Sequence, residues 1–278
     1  WLPRLLAAPR QHQASTILIE KLRSTQPDHV DQAVISAIKK DLTRGHTLIL
    51  DQIGTYTSSA VTDALDQIAR DTAVNGWAVQ GALSALLERD EPRGNATALQ
   101  ILRRRPSSRP QPDTIIGPEA DAWLRWTQAA AAAAALARSP RLSTRLDELL
   151  QEMSASDEFA ADVIAWTDRP GPGRRAWQAL SADQKADLLV WVRHNLPQEP
   201  DHPPGQVVDI LPVHEFPRRI LTQLTSDVSE ISVAALHRAA DELDDDPWLR
   251  REAEKLAVAV RDASWVPLAP HEVREVLE

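Results

Sequence analysis

The sequence predicts an all-α fold, a HEAT- or armadillo-like helical repeat array (an α-solenoid) in two halves, and three observations carry that expectation. Apolar residues recur at spacings of three and four and hardly ever alternate, the period of a half-buried helix rather than a strand. The apolar share of the 278 residues is 43%, mostly Ala and Leu, against an aromatic share of 4%, which is the material of helix packing. Pro and short polar residues stand where helices would begin, as first-turn and N-cap residues.

Taken in order, Gln26-Pro27-Asp28 starts a helix whose stripe is Val30, Val34, Ile38 and Leu42, and Ser58-Ser59 starts one with Val61, Leu65, Ile68 and Ala69. A third runs from about Asn75 to Glu88 with Trp77, Leu83, Leu86 and Leu87; a fourth carries Ala98, Leu99, Ile101 and Leu102. Helix pairs of this spacing suit stacked units in which each covers its neighbour's apolar face. Three Pro, two Ser and a cluster of Arg then interrupt the period, so 1–105 is expected to be an N-terminal helical-repeat half and 106–117 a linker.

The second half is expected over 118–278. Gly117-Pro118-Glu119 restarts a helix through Trp123, Trp126 and seven consecutive Ala, a run with high helix propensity and no bulk that invites close approach of a neighbouring helix. Ser139-Pro140 opens the next, with Leu142, Leu146, Leu149 and Leu150; Ser154 with Asp157 resembles a capping box before Phe159, Val163, Ile164 and Trp166. Pro170-Gly171-Pro172-Gly173 is a breaker. Ser181 and Gln184 form a capping box for a helix bearing Leu188, Leu189, Trp191 and Val192, which Pro197 stops. A long surface loop with a short extended piece at 207–211 is expected over 198–215, then a helix over 228–243, one capped by Asp246 with Pro247 in its first turn, and a last one after Pro270.

Composition excludes several functions. With 31 basic and 40 acidic residues the formal charge is −9, which disfavours nucleic acid as a partner. There is no Cys, so disulfides, thiolate-ligated zinc, iron–sulfur centres and thiol catalysis are absent, which suits a reducing cytoplasm. The Ala129 to Ala137 stretch is far too short to span a membrane, and Trp1 to Ala8 is too brief for a signal peptide. A chain that opens on Trp rather than Met is expected to be a piece of a longer one.

No catalytic centre or cofactor site is expected. A phosphate loop needs Lys and a hydroxyl residue after its glycines, and at Gly76 to Gly81 those places hold Ala82 and Leu83, so the glycines are read as packing residues. His194 and His202, with Glu199 and Asp201, are the only candidate metal cluster and read more simply as solvated loop side chains. The run Asp241 to Asp246 lacks the Gly and closing Glu of a calcium loop and reads as caps and a solvated face. Arg103, Arg104, Arg105 and Arg109 read as a solvated joint. The nine Trp are mostly expected to fill space between helices, but Trp123 and Trp126, three apart on one helix, are the candidate anchors for a protein partner.

From Ala176 onward an ordered series of segments stands out: Ala176-Trp177-Gln178-Ala179-Leu180-Ser181, Leu188 to Arg193, Leu196-Pro197, the Pro217-Arg218-Arg219-Ile220-Leu221 helix, the Ala-Leu segment 234–240, Pro247-Trp248-Leu249-Arg250, and Trp265-Val266-Pro267-Leu268-Ala269-Pro270. This series resembles the helical segment behind the NTPase module of large bacterial NACHT-type STAND proteins. The resemblance covers roughly the last hundred residues and consists of packing and capping residues, so it carries no catalytic role across. It implies that the complete protein couples nucleotide hydrolysis to oligomerisation, often in defence against phage, while this part senses a protein trigger or holds the switch closed in contact with the rest of its own chain. No Walker A loop is present in these residues. The alternative is a structural scaffold or protein-interaction solenoid of another large assembly; a third reading, a helical metal enzyme around His194, Glu199 and His202, predicts bound metal.

Overall fold

Every segment of regular structure in the computed structural model is helical among the residues it describes, which are 21–44, 46, 49, 58–110, 117–139, 141–167, 177–196, 212–244 and 246–264. The chain divides into two compact units, 1–179 and 180–278. By this division the segment 106–117, expected as a linker, falls within the first unit. The physical reason is that the helix following the Arg- and Pro-rich segment packs on the helices preceding it, so the elements on either side of that segment share one core.

The first unit contains α1 (Pro27–Leu42), α2 (Ser59–Arg70), α3 (Gly76–Arg89), α4 (Glu91–Leu102), α5 (Pro118–Ala137), α6 (Leu146–Met153) and α7 (Asp157–Thr167), with single 3-10 turns at Leu142–Thr144 and Trp177–Ala179. The stripe Val30, Val34, Ile38 and Leu42 is buried on α1, and Val61, Leu65, Ile68 and Ala69 are buried on α2, whose N-cap Ser58 also bonds the Asp31 carboxylate. Asn75 caps α3 by accepting from the Ala78 amide at 2.9 Å. Helix α4 starts earlier than its apolar stripe suggests because Asp90 caps it and Pro92 stands in its first turn. Trp77 is 39% exposed and not core; it lies against Trp166 with ring centroids 5.3 Å apart.

Helix α5 is the axis of this unit. Gly117 has φ +70°, open to glycine and strained for a side chain, and places Pro118 at the first helical turn. From Ala129 to Ala137 every residue is buried, on all sides of the helix, against α3, α4, α6 and α7. Close approach, expected from the Ala run, is concrete at Gly76: a Cβ there would sit 2.9 Å from the Thr127 carbonyl oxygen and 2.8 Å from Trp166. Two buried polar side chains fasten α5. Gln128 donates through Nε2 to the Val74 carbonyl at 2.6 Å, with those of Asp71 and Thr72 at 3.3 Å, closing the α2–α3 turn. Arg138 donates to the Thr167 carbonyl at 2.8 Å and that of Trp166 at 3.3 Å, meeting the negative end of α7 with a cation. At the start of α7 the cap is Ser156, accepting from the Phe159 amide, rather than Ser154, whose hydroxyl donates back to the Leu150 carbonyl.

The second unit contains α8 (Ala182–Asn195), α9 (Pro212–Ser226), α10 (Glu230–Glu242) and α11 (Pro247–Ser264). The Ser181–Gln184 capping box forms in both directions at 3.2 Å, and Leu188, Leu189 and Val192 are buried. Helix α9 begins at Pro212, inside the expected 198–215 loop, while the extended piece at 207–211 and the helix after Pro270 fall outside the described residues. Pro217 sits in the second turn of α9, where its missing N–H forfeits one ladder bond. Asp246 caps α11, accepting from the Trp248 amide at 2.9 Å and the Leu249 amide at 3.2 Å; Asp241 pairs with Arg250 and Glu242 with Arg238. The acidic run therefore acts in capping and pairing. Among the described residues no helix is long and apolar enough to cross a membrane.

Candidate functional site

Helix α5 carries both candidate anchor residues, and the structure gives them different fates. Trp126 is 1% exposed: its ring meets Phe159 of α7 edge-on at 5.3 Å, and its indole N–H donates to Asp162 Oδ2 at 2.8 Å. A ring so enclosed is core and cannot anchor a partner, which corrects its expected role. Trp123 is half-buried, with the Arg109 guanidinium 5.7 Å from its ring centroid.

Asp162, Phe159, Arg105, Arg109 and the Glu152 carbonyl complete this cluster. Asp162 on α7 accepts from Trp126 through one oxygen and from Arg109 Nη2 through the other, at 3.1 Å. Arg105 lies 4.2 Å above the Phe159 ring and donates to the Glu152 carbonyl at 3.1 Å. Burial lowers the pKa of the Arg105 guanidinium, opposed by the Glu152 charge, yet an arginine stays cationic across the working range. The segment 103–110 is thus a largely exposed strap, solvated at Arg103 and Arg104 as expected, that Arg105 and Arg109 dock onto α5, α6 and α7. Composition signalled these Arg as a group; their partners lie 47 and 53 residues away and leave no local pattern.

A second polar cluster joins α2 to α4. Asp66 accepts from the Thr97 hydroxyl at 2.6 Å, Arg70 Nε at 2.9 Å and Arg93 Nη2 at 3.1 Å, while Arg93 also reaches Asp63 at 2.7 Å and Arg70 also bonds Gln100. Burial pushes the Asp66 carboxyl up, but the hydrogen bonds from Thr97, Arg70 and Arg93 outweigh it and hold the pKa below the ordinary value. These bonds run between α2 and α4, so the cluster serves as a strut between helices. A cleft lined by Asn95, Leu99, Leu136, Leu142 and Leu149 offers about 10 Å³, room for one water and no substrate. His194 is exposed at the end of α8; Glu199, Asp201 and His202 lie outside the described residues.

In the first unit arginine, carboxylate and indole are joined to one another through Arg109, Asp162 and Trp126. In the second unit, Arg193 approaches the half-exposed Trp248 ring at 5.7 Å and Asp246 at 3.6 Å, tying α8 to α11. Comparison with known proteins adds no homology. No family model, curated protein or solved structure matches the chain.

Proposed function

We propose that this chain is a non-catalytic helical-repeat sensor or regulatory region of a NACHT-type STAND NTPase, acting in bacterial antiviral defence in the cytoplasm by binding a protein trigger. The observation that carries the reading is the ordered series of segments from Trp177 to Arg250, and the positions they take support it. Ser181 and Gln184 form a reciprocal cap, Leu188 to Arg193 lie on α8, Pro217 to Leu221 on α9, 234–240 on α10, and Pro247 opens α11.

The solenoid character belongs to the same proposal. Within each unit the extensive helix interfaces join helices no more than two places apart in the described order: α3 meets α2, α4 and α5, and α10 meets α8, α9 and α11. Packing between near neighbours is how stacked helical repeats bury their faces. Trp123 is the side chain through which the first unit would touch a trigger, since it is only half-buried where Trp126 is enclosed.

The test compares the complete gene product with this segment for ATP binding. The expected outcome is binding by the complete product and none by the segment. Absence of binding in both would remove the STAND reading and leave the stacked helices as a scaffold, to be distinguished by the identity of its partners.

A further inference from the structure

Between its two docking points the strap leaves Ser107 and Ser108 exposed, on backbone that is neither helix nor strand. Arg103 and Arg104, both exposed, and the docked Arg105 precede them. A serine hydroxyl on irregular backbone with guanidinium groups two to five residues before it presents the charge pattern by which one class of protein kinase selects its substrates. The residue that follows, Arg109, is the one whose guanidinium holds the strap to Asp162 at 3.1 Å.

We propose that Ser107 and Ser108 are acceptor sites for an Arg-directed serine/threonine protein kinase, and that the phosphate they receive draws Arg109 away from Asp162. The serine oxygen attacks the γ-phosphorus of Mg·ATP, the bond to the β–γ bridging oxygen breaks, ADP leaves, and the hydroxyl proton passes to the kinase's catalytic carboxylate. A phosphoserine carries a charge of about −1.5 to −2 with three acceptor oxygens, against the single charge of Asp162. Ser108 lies next to Arg109 in the chain and Ser107 two residues before it, where a charge-assisted pair forms at little cost in ordering. Asp162 keeps its bond from the Trp126 indole, so α5 and α7 stay joined while the strap loses one docking point and Trp123 loses the guanidinium beside it. The inference stands on the geometry of the strap and does not depend on the STAND reading.

The experiment incubates the chain with the catalytic subunit of cyclic-AMP-dependent protein kinase and radiolabelled ATP, and maps the label by peptide mass spectrometry. Label at Ser107 or Ser108, lost in the S107A/S108A double variant, is expected; no label at either residue, or undiminished labelling of the double variant, overturns the site. Asp162→Asn leaves the kinase motif intact and removes the ion pair at the Arg109 docking point beside the serines, so phosphorylation should run about 2–5-fold faster, the scale of one exposed ion pair. An unchanged rate overturns the role of docking. Phosphorus NMR then titrates the modified protein: capture by Arg109 lowers the second phosphate pKa relative to the Arg109→Gln variant. Equal values in the two overturn the capture.

Discussion

At the residue scale, the burial edge of α5 falls between two tryptophans. Positions three apart on a helix are separated by about 60° around its axis, near enough to share a face in sequence and far enough for one ring to be enclosed while the other is half open. That is why the pair was legible as a helix-face feature and its division was not. Asp66 illustrates the same dependence on partners from another helix, and it makes a prediction with a definite sign. Its folded pKa lies below its unfolded value, so its contribution is fully present above the unfolded pKa and is lost as pH falls through the folded one. Asp66→Asn should cost about 1–3 kcal/mol at neutral pH by leaving donors of Thr97, Arg70 and Arg93 poorly matched. The gap to wild type should narrow below about pH 4. Urea denaturation of both proteins at neutral and acid pH checks this, and a gap that stays constant would refute it.

At the scale of elements, most caps and apolar stripes with a local signal were legible. The Ser181–Gln184 box, the Asp246–Pro247 start and the α1 stripe each lie within one or two turns of chain, so sequence spacing alone specifies them. The Ser154 cap was misplaced by two residues because Ser154 and Ser156 are chemically alike and differ only in which reaches the first free amides of α7. Ser181→Ala should destabilise the second unit by about 1 kcal/mol, measurable as a lowered melting temperature in thermal denaturation followed by circular dichroism; a melting curve superimposable on wild type would show the box to be energetically idle. Gly76→Ala should cost about 1–3 kcal/mol, because its methyl group meets the backbone oxygen of Thr127, which cannot rotate away as a side chain would. A stability equal to wild type would mean that α3 and α5 are free to separate there.

At the scale of the whole molecule, the sequence located a break at the most conspicuous run of Pro and Arg, whereas the change of unit falls beside Ala179. Composition marks where a helix ends; which cores join across that point depends on helices far apart in sequence, such as α4 and α5 flanking the strap. Two chains divided between Ala179 and Leu180 should each retain a helical spectrum and a cooperative thermal transition. Loss of cooperativity in either half would show that it needs the other for stability. A division inside 106–117 should instead leave α3 and α4 without the helix that covers them, and yield aggregation.

The encased Ala run of α5 also sets a clock for the backbone. Amide hydrogens of Ala129 to Ala137 are shielded by neighbouring helices on every side, so solvent deuterium reaches them only when those helices part. These amides should be among the slowest of the chain to exchange, with protection approaching the global unfolding free energy.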